Sequence, residues 1–338
     1  MAKMTLAQAI REAIREEMRA DERIVLIGED IGIEGGFGGA FGVYLGLAEE
    51  FGHDRVIDTP ISEKLIIGAA VGMAIAGLWP IADFQYSDFM FNAMDELVNE
   101  APMFTYMSGG KVSVPLVVRA PIGASTRGAQ HGHCPESYIY HCPGWKVACP
   151  SNAYDAKGLI KTAIRDPNPV FVFEHKLLYG SKGREKAGGF ELETDVPEEE
   201  YTIPFGKAAI KREGKSVTVI ATHLMIYKTM AIADKLASDG IDIELIDPRT
   251  LVPLDKETIF ASIAKTGRLI IVEEDNLTLG WGSEISAVVA EEAIFYLDAP
   301  IKRIAMPDVP LPFAPRLESF VVPSQDRIYS EIKHFMED

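Results

Sequence analysis

The stretch 58–77, DTPISEKLIIGAAVGMAIAG, sets a single carboxylate at the mouth of an apolar helix. Asp58, Thr59 and Pro60 end a short apolar run, Ser62 stands where a helix is capped, and Glu63 falls in the first turn, where the helix dipole favours negative charge. After Lys64 no charged residue appears until Asp83. A helix apolar on every side belongs in an interior. Gly68, Gly72 and Ala76, four apart on one face, leave room for another backbone to approach closely. A carboxyl so placed either stabilises a helix start or handles a proton.

Other candidates gather around the same place. Glu29 and Asp30 follow the first apolar run, at the carboxyl end of a strand, where open α/β sheets take ligands. Neighbouring strand ends carry Asp58, then Gln85, Tyr86 and Phe89, then an irregular loop, 119–136, with Arg127 and His131. The glycines of 35–42, GGFGGAFG, have nearly dinucleotide-binding spacing, but GEDIGIE separates them from the strand they would have to follow directly. They read instead as a flexible loop over a site. Cys134, Cys142 and Cys149 lie close to His131, His133 and His141, yet their spacing matches no common zinc pattern, and free thiols in a reducing compartment are the reading. There is no P-loop, no GxSxG elbow, no HExxH, and no GDG followed by paired asparagines.

These residues need a scaffold. Apolar runs at 24–27, 56–57, 81–84, 116–119, 146–148 and 170–173 read as buried parallel strands. Helical patterns lie between them at 5–18, 62–76, 87–107 and 151–165, the first opened by a Thr5/Gln8 capping box. A polar, acidic stretch at 181–202 has neither period and reads as a linker. A second alternation follows, with strands at 216–221, 242–246, 268–272 and 301–305 and helices at 224–237, 255–264, 283–295 and 325–336. The fold class is α/β, with two doubly wound domains, 1–180 and 203–338, joined by that linker. A length of 338 residues suits two cores. The net charge of −17 argues against nucleic acid and anionic membranes, and no apolar run reaches the ~18 residues of a membrane span. The acidic, amphipathic N-terminus has no signal core, which points to a cytoplasmic address.

With these residues in place, the chain resembles the β subunits of thiamine-diphosphate-dependent 2-oxo acid or acetoin dehydrogenase components, within the transketolase-like superfamily. The matching segments are LIGED (26–30), RVIDTPISE (55–63), GAAVGMAIAGLWPIADF (68–84), YMSGGK (106–111), RGAQH (127–131), PGWKVACPSNAYDAKGLIKTAIRDPNPV (143–170) and FEHKLLYG (173–180). The resemblance implies a pyrimidine-binding first domain and a transketolase C-terminal-like second one. It implies an α2β2 heterotetramer whose α subunit carries the GDG…NN motif and holds magnesium and the diphosphate. The β subunit would surround the aminopyrimidine and serve a lipoyl-bearing acyltransferase core.

On this resemblance Glu63 bonds N1′ of the pyrimidine, Phe89 packs on its ring, Gln85 lines the same wall, and Glu29 is an acid of the polar tunnel between paired sites. His131 stands near the reacting centre, and Ala163, Asp166 and Asn168 form a potassium site. Where family members often read QHSQ, this chain reads Gln130-His131-Gly132-His133, which alters the polar groups beside His131. FEHKLLYG is closer to acetoin-type members. The competing readings are a single-chain transketolase-like synthase, which would need its own diphosphate domain, and a non-catalytic scaffold subunit.

Overall fold

The computed structural model describes residues 1–33, 35–180, 186–187 and 189–337. Six parallel strands, Ile24–Glu29, Val56–Thr59, Trp79–Asp83, Val117–Ile122, Lys146–Ala148 and Val170–His175, form the first sheet. Numbered in chain order, they lie 2-1-3-4-6-5, so the order reverses between the first and third strands. A crevice opens at that reversal, outside the carboxyl ends of the strands. The register sets Gly28 beside Asp83, and Asp83 beside Arg119, which brings Glu29 and Asp83 to one edge.

Side chains alternate across a strand, and the two faces of this sheet show it. Leu26, Ile81 and Val117 pack on one face with Leu6, Ile10 and Ile14 of helix Leu6–Ala20 and with Ile160 of helix Ala153–Ile164. Ile27, Ala82 and Val118 pack on the other with Ile66, Ala70 and Val71 of helix Glu63–Ile75. Both apolar layers continue into the second half of the chain. The Thr5/Gln8 capping box forms as read, Thr5 N–H donating to Gln8 Oε1 at 2.8 Å and Gln8 N–H to Thr5 Oγ1 at 3.3 Å.

Strands Ile243–Asp247, Val217–Ala221, Leu269–Asn276 and Lys302–Met306 are parallel neighbours in the second sheet, with Ala209–Arg212 antiparallel at its edge. One strand of the second half leaves it. Thr250–Val252 joins the first sheet antiparallel to Lys146–Ala148. The acidic stretch is not free of strands either. Thr194–Val196 pairs antiparallel with Ala2–Met4, and Phe190–Glu191 pairs with Lys186–Ala187; the remainder of 181–188 lies outside the described residues. Pairs this short carry no periodicity, so only the meeting of distant segments reveals them.

The single helix read over 87–107 is broken into a 3-10 segment, Ser87–Ala93, a π turn, Glu96–Glu100, and a last turn, Phe104–Met107. Tertiary bonds claim its polar groups: Asp88 accepts from Gly132 and His133, and the Trp145 indole donates to the Leu97 carbonyl at 2.6 Å. Pro102 supplies no N–H. Helix Glu63–Ile75 also departs from its reading. It is apolar all round, yet Leu65 and Ile75 are exposed and nothing stands within 4 Å of a Cβ placed on Gly72. Among the described residues a Cβ on Gly68 would meet the Glu96 side chain alone and one on Gly72 nothing, so the backbone foreseen there is not supplied by them.

Candidate functional site

Glu63 is the first residue of its helix and is 7% exposed. Ser62 takes the N-cap position, but its side chain makes no capping bond. Among the described residues the one hydrogen bond of the Glu63 carboxylate comes from Asn92 Nδ2, at 3.4 Å to Oε2. Oε1 is left available. Asn92 lies on the 3-10 segment that also carries Phe89, so the break in the foreseen helix serves the site.

Around Glu63 the strand ends concentrate acid. Burial and the nearby charges of Asp30, Glu63, Asp83 and Asp58 raise the pKa of Glu29. Asp83 is raised to about 6 by burial, against the charge of Arg119 and a hydrogen bond from Tyr44. Its carboxylate accepts from Tyr44 Oη at 2.8 Å, Gln85 Nε2 at 3.1 Å and Arg119 Nη1 at 3.1 Å. Arg119, wholly buried, also bonds both oxygens of buried Glu174. A guanidinium under the sheet edge thus neutralises the acids that turn inward and leaves Glu29 and Glu63 with no cationic hydrogen-bond partner among the described residues.

The glycine stretch is clamped rather than free. Gly39 N–H donates to the Asp30 carbonyl at 2.8 Å and Ala40 N–H to Gln85 Oε1 at 3.2 Å, while Arg11 Nε reaches the Val43 carbonyl at 3.2 Å. Gly38 has φ +67° and abuts the backbone of Leu45, where any Cβ would collide. Both ends of the Gln85 amide are therefore committed, one to Asp83 and one to this loop.

The second arm of the site is aromatic. His131 stands edge-on to Tyr86 (5.8 Å, 73°) and to Phe89 (5.4 Å, 82°). Arg127 Nη1 donates to Tyr86 Oη at 2.8 Å, and Lys176 Nζ lies 4.8 Å from the centre of the same ring. Lys176 is buried, its pKa lowered to about 8 by that burial, and it donates to the Gly123 carbonyl at 3.2 Å. Asp88 fixes the loop by accepting N–H bonds from Gly132 at 2.9 Å and His133 at 3.0 Å. Burial would raise its pKa, but His133 and Lys176 hold it below the ordinary carboxylate value.

The second half of the chain completes this arm. Glu274 accepts from Ala124 N–H at 2.7 Å and Glu318 from Thr126 N–H at 2.8 Å, and Leu311 and Phe313 of the proline-rich segment 306–315 pack on Gly132 and Gly128. His175 Nε2 meets Glu274 Oε2 at 3.1 Å. Burial opposes the charge on Glu274, yet His175 and its hydrogen bond depress its pKa to about 2.

Glu29, Glu63, Gln85, Phe89 and His131 thus lie along one edge. Phe89 and His131 touch; Glu63 shares no hydrogen bond with either among the described residues. Ala163, Asp166 and Asn168 lie elsewhere, before Val170 at the opposite edge of the sheet. There Asp166 accepts both the N–H and the side-chain amide of Asn168 at 3.0 Å and pairs with Lys146. Sequence reasoning gave no role to Asp83, Arg119, Glu174, His175, Lys176 or Glu274. Glu174-His175-Lys176, three polar residues in succession at a strand's carboxyl end, was the signal available for half of them. The three cysteines are free and buried. No helix among the described residues is long and apolar enough to cross a membrane.

Sheet order and site together define a transketolase-type α/β protein. The chain matches the pyrimidine-binding domain of transketolase over residues 2–182 and the transketolase C-terminal domain over 206–328. A solved split-gene transketolase, described as an inactive β4 tetramer, superposes with a TM-score of 0.76 at 21% identity, covering 99% of each chain. Within that class, the chain belongs to the β subunits of the pyruvate, acetoin and 2-oxoisovalerate dehydrogenases. It is 44% identical to the β subunit of acetoin:2,6-dichlorophenolindophenol oxidoreductase from Bacillus subtilis (97% of this chain, 95% of the relative). It is 40% identical to the 2-oxoisovalerate dehydrogenase β subunit of the same organism over 100% of both chains, and 44% identical to the pyruvate dehydrogenase E1 β subunit of Rickettsia felis over 98% of both.

Proposed function

We propose that this chain is the β half of a thiamine-diphosphate-dependent enzyme that decarboxylates a 2-oxo acid, or cleaves acetoin, and passes the acyl group to lipoamide on an acyltransferase core. The observation that carries the reading is Glu63: a buried carboxyl at a helix start with one oxygen uncommitted, on the same rim as Phe89 and His131. That donor set fits an aminopyrimidine, which needs a carboxyl for a ring nitrogen and an aromatic face to pack on.

When bound, thiamine diphosphate supplies the carbon nucleophile. This chain's part is to hold it and to manage protons. Glu63 Oε1 would share a proton with N1′ of the pyrimidine, the acid–base role for which an amide is no substitute. Phe89 would pack on the ring, while Gln85 holds the glycine loop beside it. His131, oriented by Tyr86 and Phe89, would serve the substrate carbonyl or the transfer to lipoamide. Glu29, with its proton affinity raised, extends the acidic rim as a tunnel acid would.

The same rim disfavours the other end of the cofactor. Glu29, Asp30, Asp58 and Glu63 repel a diphosphate, so an α subunit with the GDG…NN motif would hold it with Mg2+, in an α2β2 assembly. The exposed apolar residues Ile61 and Leu65 beside Glu63, and Ile75 at the far end of its helix, suit burial by such a chain. A potassium ion at 163–168 would rely on carbonyl oxygens, because the Asp166 carboxylate is already paired with Lys146 and Asn168. The test is titration calorimetry of thiamine diphosphate with Mg2+ into this chain, alone and mixed with its candidate α partner. Binding and decarboxylation are expected only in the mixture; turnover by the pure β chain would refute the reading.

A further inference from the structure

The seam between the two halves holds a second group of reactive side chains, apart from the site above. Glu136 opens a short helix, Cys149 follows strand Lys146–Ala148, and His223 is the first residue of helix His223–Ser238 in the second half. All three are buried, at 1%, 0% and 3% exposure. Their ligand atoms, a carboxylate oxygen, a thiol sulfur and an imidazole nitrogen, lie within 4.8 Å of one another.

The histidine is held in a definite state. Its backbone N–H donates to Ser151 Oγ at 3.0 Å, and its Nδ1 faces the Pro150 carbonyl at 3.3 Å. A carbonyl only accepts, so Nδ1 carries the hydrogen and Nε2 presents a lone pair. That lone pair looks toward Glu136, whose Oε1 is 3.8 Å away, too far for a hydrogen bond. Neither His223 Nε2 nor Glu136 Oε2 has a hydrogen-bond partner among the described residues. Buried polar atoms without partners are rare, and here two belong to neighbouring side chains beside a thiol.

We propose that Glu136, Cys149 and His223 bind one zinc-type divalent cation, which joins the two halves of the chain. Thiolate, imidazole and carboxylate are all zinc ligands, at about 2.3, 2.0–2.1 and 2.0–2.2 Å. Those lengths set tetrahedral ligand atoms roughly 3.3–3.6 Å apart, so no pair in the cluster has to close by more than about 1.5 Å. The sulfur selects against magnesium and calcium. One thiolate and one carboxylate balance the two positive charges, and Glu273, Glu274 and Asp275 add negative field around Glu136. The Nδ1–H bond to a carbonyl is the usual orienting partner of a metal-bound imidazole. Binding expels the thiol proton, and any proton on the carboxyl, to solvent. A fourth position is left for water.

The experiment uses the full chain, free of histidine tags and expressed with zinc in the medium. Elemental analysis should find one zinc per chain. Stripping the metal with a chelator should lower the thermal midpoint, and zinc should restore it, an arm that needs no variant. Reloading with Co2+ should give a thiolate-to-cobalt absorption band that Cys149→Ser abolishes and that Cys134→Ser and Cys142→Ser retain. His223→Ala should weaken zinc binding at least tenfold. A chain that takes up no stoichiometric zinc and whose midpoint ignores added zinc overturns the proposal, as does a cobalt band indifferent to Cys149→Ser.

Discussion

Replacing Glu63 by Gln separates a structural carboxylate from a catalytic one. The stability cost is small on either reading. A charge in the first helical turn is worth about 0.3–1 kcal/mol, the 3.4 Å bond from Asn92 is long and an amide oxygen accepts it equally well, and the charge of Glu63 is one of those repelling Glu29. The thermal midpoint should therefore move by no more than about 2–4 °C. The chemistry responds on another scale. A positioned acid–base group contributes about 10²–10⁴-fold, equivalent to roughly 3–5 kcal/mol of barrier. The assay is hydrogen–deuterium exchange at the thiazolium C2 position of thiamine diphosphate in the α2β2 enzyme, wild type against Glu63→Gln, with cofactor occupancy measured in the same samples. Exchange should fall by two or more orders of magnitude while most occupancy survives. Unchanged exchange at full occupancy would show that Glu63 only begins a helix, and the reading built on it would go.

Three further outcomes follow from the geometry. His131→Ala removes a ring that touches Phe89 and Tyr86 but bonds no acid of the rim, so calorimetry should show cofactor affinity nearly intact while turnover or lipoamide acylation falls about 10²–10⁴-fold; loss of cofactor binding with normal turnover of the remainder would reverse that assignment. Gly72→Leu meets open space in the single chain, so its midpoint should hold alone while sedimentation shows impaired assembly, overpacking a close contact costing about 1–3 kcal/mol. The Glu274 carboxylate, depressed to about 2 by His175, stabilises the fold above the ordinary carboxylate range, and that gain is lost as pH falls from about 4.5 toward about 2. It amounts to about 3 kcal/mol, so urea midpoints of wild type and Glu274→Gln should differ most at pH 7, with roughly half of the gap gone by pH 3 and the rest closing toward pH 2; a gap unchanged between pH 7 and pH 3 would remove His175–Glu274 as its source.

The local part of this protein was legible in its sequence, because it depends on neighbours along the chain. Continuous apolar runs fell on the six parallel strands, the Thr5/Gln8 box opened the first helix, and Glu63 reached the first turn of a helix one residue after its N-cap. Glu29, Phe89 and His131 were found as candidates because the carboxyl ends of parallel strands share an edge once the strands are known. What the sequence could not decide was everything requiring two distant segments to meet. The 87–107 pattern is helical in period, yet Asp88 and Trp145 bond across it and break it, carrying Asn92 to Glu63. Arg119 looked like one more charge at a strand end, and only strand register sets it under Asp83 and Glu174. The apolar helix at Glu63 read as interior, since hydrophobicity records that a face is to be covered and not by which chain. Glu136, Cys149 and His223 lie up to 87 residues apart, with no spacing that predicts them. The packing of the second half against the first makes them neighbours.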